Sequence, residues 1–139
     1  MVQPRRRVRL VSVTLQRSVA LRCQAEVCLE WEGVEYRGRE EGTGPAAIEQ
    51  RVTAEATLKA LECLLGGRLR FRLVGTKEVK AFDDTVAIVA VAVRPAHSEE
   101  EQHVIGAALA DEGDRARAVA RAVLNATNRM LGNFLHSSD

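Results

Sequence analysis

The sequence predicts an α+β fold made of two consecutive βββα units, with antiparallel sheets and helices packed on one face. Apolar and polar residues alternate from Val19 to Trp31, as in a strand with one buried face. Two amphipathic helical patterns follow, one after each group of three extended segments. When the chain is shifted by 66 residues, Val52–Gly66 overlies Ala118–Gly132 with six identities in fifteen positions. These observations indicate an internal repeat.

The composition restricts the class of protein. The chain has 139 residues, which is the size of one domain, and we predict a single domain over 1–139. The formal net charge is +1, so no overall field draws the chain to nucleic acid or a membrane surface. No apolar run approaches the ~20 residues that span a bilayer. Three cysteines without a C-x-x-C pair predict neither a disulfide framework nor a zinc site, and they favour a cytoplasmic location.

The first repeat unit is predicted over 8–67. Val8–Leu15 is rich in β-branched residues and is predicted as a strand. The second strand, Val19–Trp31, has one apolar face that we expect to be buried and one polar face, which includes Cys28, that we expect to be solvated. Glu32-Gly33 predicts a tight turn into a third strand, Val34–Arg39.

The first helix is predicted to follow a glycine loop and to end at Leu65. The loop is Glu41–Pro45, with Pro45 at the first helical position. Gly66-Gly67 is expected to end the helix. The apolar stripe of this helix consists of Ala47, Ala54, Leu58, Leu61 and Leu65.

The second repeat unit is predicted over 68–132 and repeats the same order. A helix is predicted from Arg115 to about Leu131, with Gly132 at its end and a polar tail over 133–139. The acidic loop before it supplies candidates for the N-cap. The three predicted strands are Arg68–Thr76, Thr85–Arg94 and His103–Ala110, separated by a turn at Asp83-Asp84 and a polar loop over Pro95–Glu101.

No pattern of catalytic residues is present, so we predict that the protein is not an enzyme and needs no cofactor or metal. The serines lack a G-x-S-x-G elbow. His97, His103 and His136 have no second ligand at metal spacing. The carboxylates that precede the two helices are interpreted as caps and as partners of the helix dipoles.

Basic residues form two groups that suggest a binding function. Arg5, Arg6, Arg7 and Arg9 are clustered near the start of the chain, and Arg68, Arg70 and Arg72 share one face of a predicted strand. Such a face could hold phosphates, which leaves a nucleic-acid-binding module open as an alternative. The competing interpretation is a solvated face whose arginines pair across strands with Glu26, Glu30 and Glu35.

The two loops before the helices are the candidate ligand site. A helix N-terminus presents free N–H groups and the positive end of a dipole, and glycine lets a ligand approach the backbone. Gly42, Gly44 and Pro45 form one such loop, and Asp111, Gly113 and Asp114 border the other. An acidic residue at the second loop could hold an ammonium group, so the pair would suit a zwitterion such as an amino acid. The same residues are also typical of loops that lead into a helix and bind no ligand.

One family carries similar motifs. Gly42-Thr43-Gly44-Pro45-Ala46-Ala47 resembles the G-x-G-P-x-D-A loop in the C-terminal regulatory domain of 2-isopropylmalate synthase and citramalate synthase. Gly106–Asp114 and Ala120–Arg129 resemble the second unit of that domain, where a glycine strand and an aspartate loop lead into a helix. Leu73–Val93 resembles its two middle strands, so the resemblance covers about Val8–Gly132.

The resemblance implies two packed βββα units and a homodimer. In that family the domain binds leucine or isoleucine near the dimer interface and inhibits a separate catalytic barrel. Two departures are visible: the loop aspartate of the family is replaced by Ala47, and 139 residues are too few for a barrel of ~250 residues. The positions that match the ligand-binding loops of the family are Gly44, Ala46, Gly113 and Asp114.

We therefore expect a stand-alone, non-catalytic regulatory domain that binds a small carboxylate or amino acid and acts allosterically. We expect it to form a homodimer, with apolar residues such as Trp31 or Tyr36 at the contact. Two alternatives remain open: a nucleic-acid-binding module, and a purely structural domain that binds a protein partner.

Overall fold

A computed structural model describes residues 7–110 and 114–136 of the chain. Within these residues, two three-stranded units are each followed by a helix, which confirms the predicted α+β fold with two βββα units. The elements are β1 (Arg9–Arg17), β2 (Arg22–Trp31), β3 (Val34–Thr43), α1 (Ala46–Leu64), β4 (Leu69–Ala81), β5 (Asp84–Pro95), β6 (Gln102–Ala110) and α2 (Arg115–His136).

The strands form two separate antiparallel sheets. Sheet A has the order β1-β2-β3, and sheet B has the order β4-β5-β6. Each helix packs against the sheet of its own unit, and the two helices also contact each other. The inner face of each sheet is therefore the one that faces the helices, and the other is its outer face.

The core lies between these inner faces and the helices. The alternation in β2 predicts the buried face correctly from Cys23 onward, since Cys23, Ala25, Val27 and Leu29 are all buried. In β5 the residues with the same role are Ala87, Val89, Val91 and Val93. Buried threonines in the helices satisfy their hydroxyl groups locally; Thr57, for example, donates to the carbonyl of Thr53 at 2.8 Å.

Close contact between a glycine and a helix occurs in both units. A Cβ atom at Gly38 in β3 would lie 2.0 Å from the carbonyl oxygen of Ala56 in α1. A Cβ atom at Gly106 in β6 would lie 2.1 Å from the carbonyl oxygen of Ala122 in α2. Ala56 and Ala122 are equivalent under the shift of 66 residues, so the repeat in the sequence corresponds to a repeat of helix packing.

The predicted start of β2 and the predicted exposure of Cys28 are both wrong. Val19, Ala20 and Leu21 were expected in the strand but form the turn before it, and Val19 is 85% exposed. Ala20 and Leu21 have positive φ angles of 61° and 57°, which reverse the chain. Cys28 was expected to be solvated but is buried on the outer face, because it lies in the central strand between Ser12 and Arg37.

Other elements are longer than predicted. β3 continues to Thr43 through most of the expected glycine loop, and Pro45 is the N-cap of α1 rather than its first residue. Gly66 and Gly67 have positive φ and end α1 as expected, whereas α2 continues past Gly132 to His136.

The first hairpin of sheet B also differs from the prediction. β4 extends beyond Thr76 to Ala81, with an irregularity in its pairing between Leu73 and Gly75. The turn that follows is Phe82-Asp83, one residue earlier than expected, because these two residues adopt the positive φ angles of 53° and 67° that the hairpin needs.

Trp31 and Tyr36, which the sequence suggests as exposed apolar residues at a dimer contact, are less exposed than expected. Both are partly buried and pack against the core. Among the described residues, no helix is both long enough and apolar enough to cross a membrane.

Candidate functional site

A cleft of about 730 Å³ lies where β1 meets the N-terminal turns of both helices. Its volume falls within the range of small-molecule sites. The side chains that line it come from both repeat units, because the contact between the helices brings α1 and α2 side by side. They are Val13, Leu15 and Arg17 from β1, Ala46, Glu49, Gln50 and Thr53 from α1, and Asp114, Arg115, Ala116 and Val119 from the start of α2.

The inner part of the cleft is apolar. Val13 and Leu15 alternate along β1 on its inner face and are partly buried against the core. Val119, one turn into α2, is buried, and the small side chains of Ala46 and Ala116 leave the space above it open. This surface favours an aliphatic group of modest size.

One wall of the cleft is an ion pair between β1 and α1. The guanidinium of Arg17 donates to Glu49 through Nε at 2.5 Å and through Nη2 at 2.9 Å. This bidentate bond lowers the pKa of the Glu49 carboxyl below its usual value, more than the partial burial of the group raises it. Glu49 is therefore a carboxylate at neutral pH, and it is less exposed than Arg17.

Two other lining residues, Gln50 and Arg115, are connected to sheet B through Glu78 of β4, which does not itself line the cleft. Gln50 Nε2 donates to Glu78 Oε2 at 2.6 Å, and Arg115 Nε lies 3.5 Å from Glu78 Oε1. Oε1 is buried and accepts no hydrogen bond from the described residues, so the ion pair with Arg115 is long and incompletely formed. The side chain of Arg115 is largely exposed, which leaves donor groups free to turn toward the cleft.

The two helix N-termini at the cleft differ in how they are capped. α1 begins after Pro45, and no side chain caps it. Within the described part of the chain, its first backbone N–H groups have no side-chain acceptor, although the N–H of Ile48 donates to the Pro45 carbonyl at 2.8 Å. In α2, Asp114 Oδ1 accepts a hydrogen bond from the N–H of Arg117 at 3.3 Å, so Asp114 is the predicted acidic cap.

The structure brings together two of the four predicted site residues. Ala46 and Asp114 both line the cleft, although they belong to different repeat units. Gly113 lies outside the described residues. Gly44 is not among the lining residues; its φ is +152°, and a Cβ atom there would lie 2.5 Å from Ile48 Cγ1. The geometry of Gly44 therefore serves the entry into α1.

Three charged residues of the cleft were not predicted from the sequence: Arg17, Glu49 and Arg115. Arg17 and Glu49 are 32 residues apart, and no motif connects the end of a strand to the first turn of a later helix. The only available signal was the acidic residue in the first turn of α1, which is a general feature of helices.

The basic face of β4 is only partly available for binding. Arg72 donates to Glu101 through two hydrogen bonds of 3.2 and 2.9 Å, and Arg68 Nε donates to the carbonyl of Leu65 at 2.9 Å. The expected pairing of arginines with Glu26, Glu30 and Glu35 holds for Arg9, which donates to Glu30 across the strands of sheet A. It fails for Arg70 and Arg72, because these lie in sheet B and the glutamates in sheet A.

Sheet A instead pairs its glutamates with its own arginines. Glu26 of β2 accepts from Arg37 at 3.1 Å and also from Arg39, and these bonds lower the pKa of the Glu26 carboxyl. Glu30 accepts from Arg9 at 2.7 Å. The outer face of sheet A is thus a network of alternating charges.

The described residues contain no group of three or more His, Cys, Asp or Glu side chains that could hold a metal ion. Cys23 and Cys28 are buried, and burial raises the pKa of both thiols. Both therefore remain protonated thiols near neutral pH.

Comparison of the chain with models of protein families and with curated proteins found no match.

Proposed function

We propose that this protein is a non-catalytic regulatory domain that binds a small amino acid or a related carboxylate in the cleft and acts as a homodimer. The observation that supports the ligand is the cleft itself, in which an uncapped helix N-terminus, an exposed arginine and two carboxylates surround an apolar surface. The resemblance to the regulatory domain of 2-isopropylmalate synthase supports the same class of ligand.

The chemistry of the walls suggests how a zwitterion binds. Its carboxylate accepts hydrogen bonds from the N–H groups of Ala46 and Ala47 at the start of α1 and from Arg115. Its ammonium group faces Asp114 and Glu49. An aliphatic side chain then lies on Val13 and Leu15, away from water.

Regulation follows from where the cleft lies. Its walls belong to β1 and α1 of the first unit and to α2 of the second, so a bound ligand bridges the two units. If the two units can adopt two relative arrangements, the ligand stabilises the one in which the walls of the cleft fit it. The equilibrium between the arrangements shifts by the difference between the ligand's binding free energies for them. A protein partner that binds one of these arrangements more tightly would therefore respond to the ligand.

A matched pair of variants tests the cleft. Ala46 and Ala47 are adjacent and exposed in the first turn of α1, but only Ala46 lines the cleft. Thermal unfolding of the wild type is screened with leucine, isoleucine, their 2-oxo acids and common nucleotides. We expect one compound at 100 times its Kd to add about 2.7 kcal/mol, a shift of roughly 10 °C.

The Ala46→Trp variant fills the cleft and should lose that shift, whereas Ala47→Trp should keep it. If both variants keep it, the ligand binds elsewhere; if no compound shifts the wild type, the proposed ligand class is wrong.

The nucleic-acid alternative has less support because Glu101 neutralises Arg72 within the described part of the chain. It predicts binding to DNA or RNA that weakens steeply as salt is added. Electrophoretic mobility-shift assays at about 50 and about 200 mM salt would test it, and strong binding of DNA or RNA only at the lower salt concentration would support it.

A further inference from the structure

The outer faces of the two sheets have opposite character. The outer face of sheet A carries the charge network of Glu26, Glu30 and their arginines. The outer face of sheet B is apolar along most of its length. A solvent-facing sheet normally alternates polar with apolar residues, so an apolar outer face in only one of two repeated units requires an explanation.

The pairing of sheet B arranges this apolar surface in successive rows across the three strands. Three rows are apolar except for one lysine at the edge, and we call them the apolar face. They consist of Val79, Val86 and Leu109; Lys77, Ile88 and Ala107; and Gly75, Ala90 and Ile105. Ile105 is 71% exposed and Leu109 is 60% exposed, so the large side chains of β6 are available for contact.

The edges of sheet B are less available than its face. The N–H of Phe71 in β4 donates to Glu62 Oε1 at 3.0 Å, and the N–H of Ala107 in β6 donates to Asn125 Oδ1 at 3.0 Å. Helix side chains thus occupy donors on both edge strands, which hinders the addition of a further strand there. A partner of sheet B is therefore expected on the face.

Charges at the two ends of the apolar face are of opposite sign. At one end Arg70 lies opposite Arg94, and neither forms an ion pair within the described residues. At the other end the hairpin carries Asp83 and Asp84, which also have no ion-pair partner among those residues. Arg72 and His103 form the row between the arginines and the apolar face, and Glu101 neutralises Arg72.

This pattern is self-complementary. Asp84 and Arg94 are the same distance along β5 from its midpoint at Val89, and so are Ile88 and Ala90. Consider two copies stacked face to face about a twofold axis that lies between the sheets, perpendicular to the strands, at this midpoint. Arg94 of each copy then lies over Asp84 of the other. The same axis places the row of Ala90 over the row of Ile88, so these two apolar rows cover each other at the centre of the contact. The row of Val86 then lies over the row of Ala92, with Leu109 over His103 and Val79 over Arg72.

We infer that the apolar face of sheet B binds the same face of a second copy of this chain. Stacked sheets pack about 10 Å apart with their strands roughly aligned, which suits this arrangement. The formal net charge of +1 adds little repulsion between copies. The inference gives a location to the homodimer of the proposed function and is independent of the ligand, since the cleft lies on the inner side of the sheets.

Sedimentation velocity across a range of concentrations, with the full chain, tests the inference. We expect a reversible dimer in the wild type. Ile105→Asp combined with Leu109→Asp places charges on the apolar face and should raise the dimer Kd by about 30-fold or more. Val34→Asp, at an exposed apolar position in sheet A, should leave the Kd unchanged. A monomeric wild type, or a dimer that the sheet B variant does not weaken, would overturn the inference.

A charge exchange tests the orientation of the two copies. Arg94→Asp and Asp84→Arg each place like charges together, and each should weaken the dimer by about 100-fold. The double variant restores opposite charges and should regain most of the affinity. Single variants without effect, or a double variant no better than the singles, would contradict this stacking.

Failure of the dimer and failure of the ligand site are separable. The Ala46→Trp variant changes only the cleft, and the Ile105→Asp/Leu109→Asp variant changes only the outer face of sheet B. Ligand-induced thermal shifts in the second variant would show that the cleft works even if this dimer does not exist.

Discussion

At the scale of single residues, the glycines on the helix-facing side of β3 and β6 determine how closely each helix approaches its sheet. Gly38 and Gly106 are both buried, and each faces the backbone of the helix of its own unit rather than a flexible side chain. Backbone atoms cannot move aside as a side-chain tip can, so any larger residue must displace the helix. The sequence shows these glycines but gives no indication of the contact, because the helix residues involved are 18 positions and 16 positions further along the chain.

Replacing Gly38 or Gly106 with alanine should therefore lower the free energy of unfolding by about 3 kcal/mol or more, through overpacking. Urea denaturation measures this loss. Gly75→Ala is the control: Gly75 is also in a strand, and its added Cβ would meet nothing within 4 Å in the single chain. Because Gly75 lies on the apolar face, the comparison is made at a concentration where the chain is monomeric. Equal losses at Gly38 and Gly75 would mean that the loss of stability comes from replacing any glycine in a strand and not from contact with the helix.

At the scale of elements, the turns explain which strand boundaries could be predicted. Glu32-Gly33 was predicted as a tight turn and forms one, with φ angles of 52° and 82°, because glycine marks such positions in a sequence. The turn at Ala20-Leu21 has the same sign of φ without any glycine, asparagine or aspartate. The alternation of apolar and polar residues continues through this turn, so the sequence gives no sign of it. The predicted strand therefore begins three residues too early.

The Glu32-Gly33 turn offers a prediction at this scale. Asparagine tolerates positive φ better than glutamate, and Asn-Gly is the preferred pair for a two-residue hairpin turn. Glu32→Asn should raise the free energy of unfolding by about 0.5–1 kcal/mol, as measured by chemical denaturation. Glu32→Ala removes the same carboxylate without favouring positive φ, and it should give no gain. A similar gain in both variants would attribute the effect to charge.

At the scale of the whole molecule, the fold was more predictable than the site. Hydrophobic periodicity acts within one element, so the strands of β2 and β5 and both helices could be identified from local sequence. The cleft depends on the packing of α1 beside α2 and on ion pairs between distant residues, such as Arg17 with Glu49. The predicted residues that reach it, Ala46 and Asp114, do so because they start helices whose N-termini lie together.

Ion pairs between elements also make the stability of the whole molecule depend on pH. Opposing cations lower the pKa values of Glu49, Glu40 and Glu101 below the usual 4.5. A carboxyl whose pKa is lower in the folded state contributes stability above its unfolded pKa, and this stability disappears as pH falls through the folded pKa. The free energy of unfolding should thus be level from pH 7 to about 5 and fall below 4.5. Glu49→Gln should flatten that fall. Glu99→Gln, at an exposed residue with no ion pair to any described residue, should not, and identical acid profiles for both variants would contradict this account.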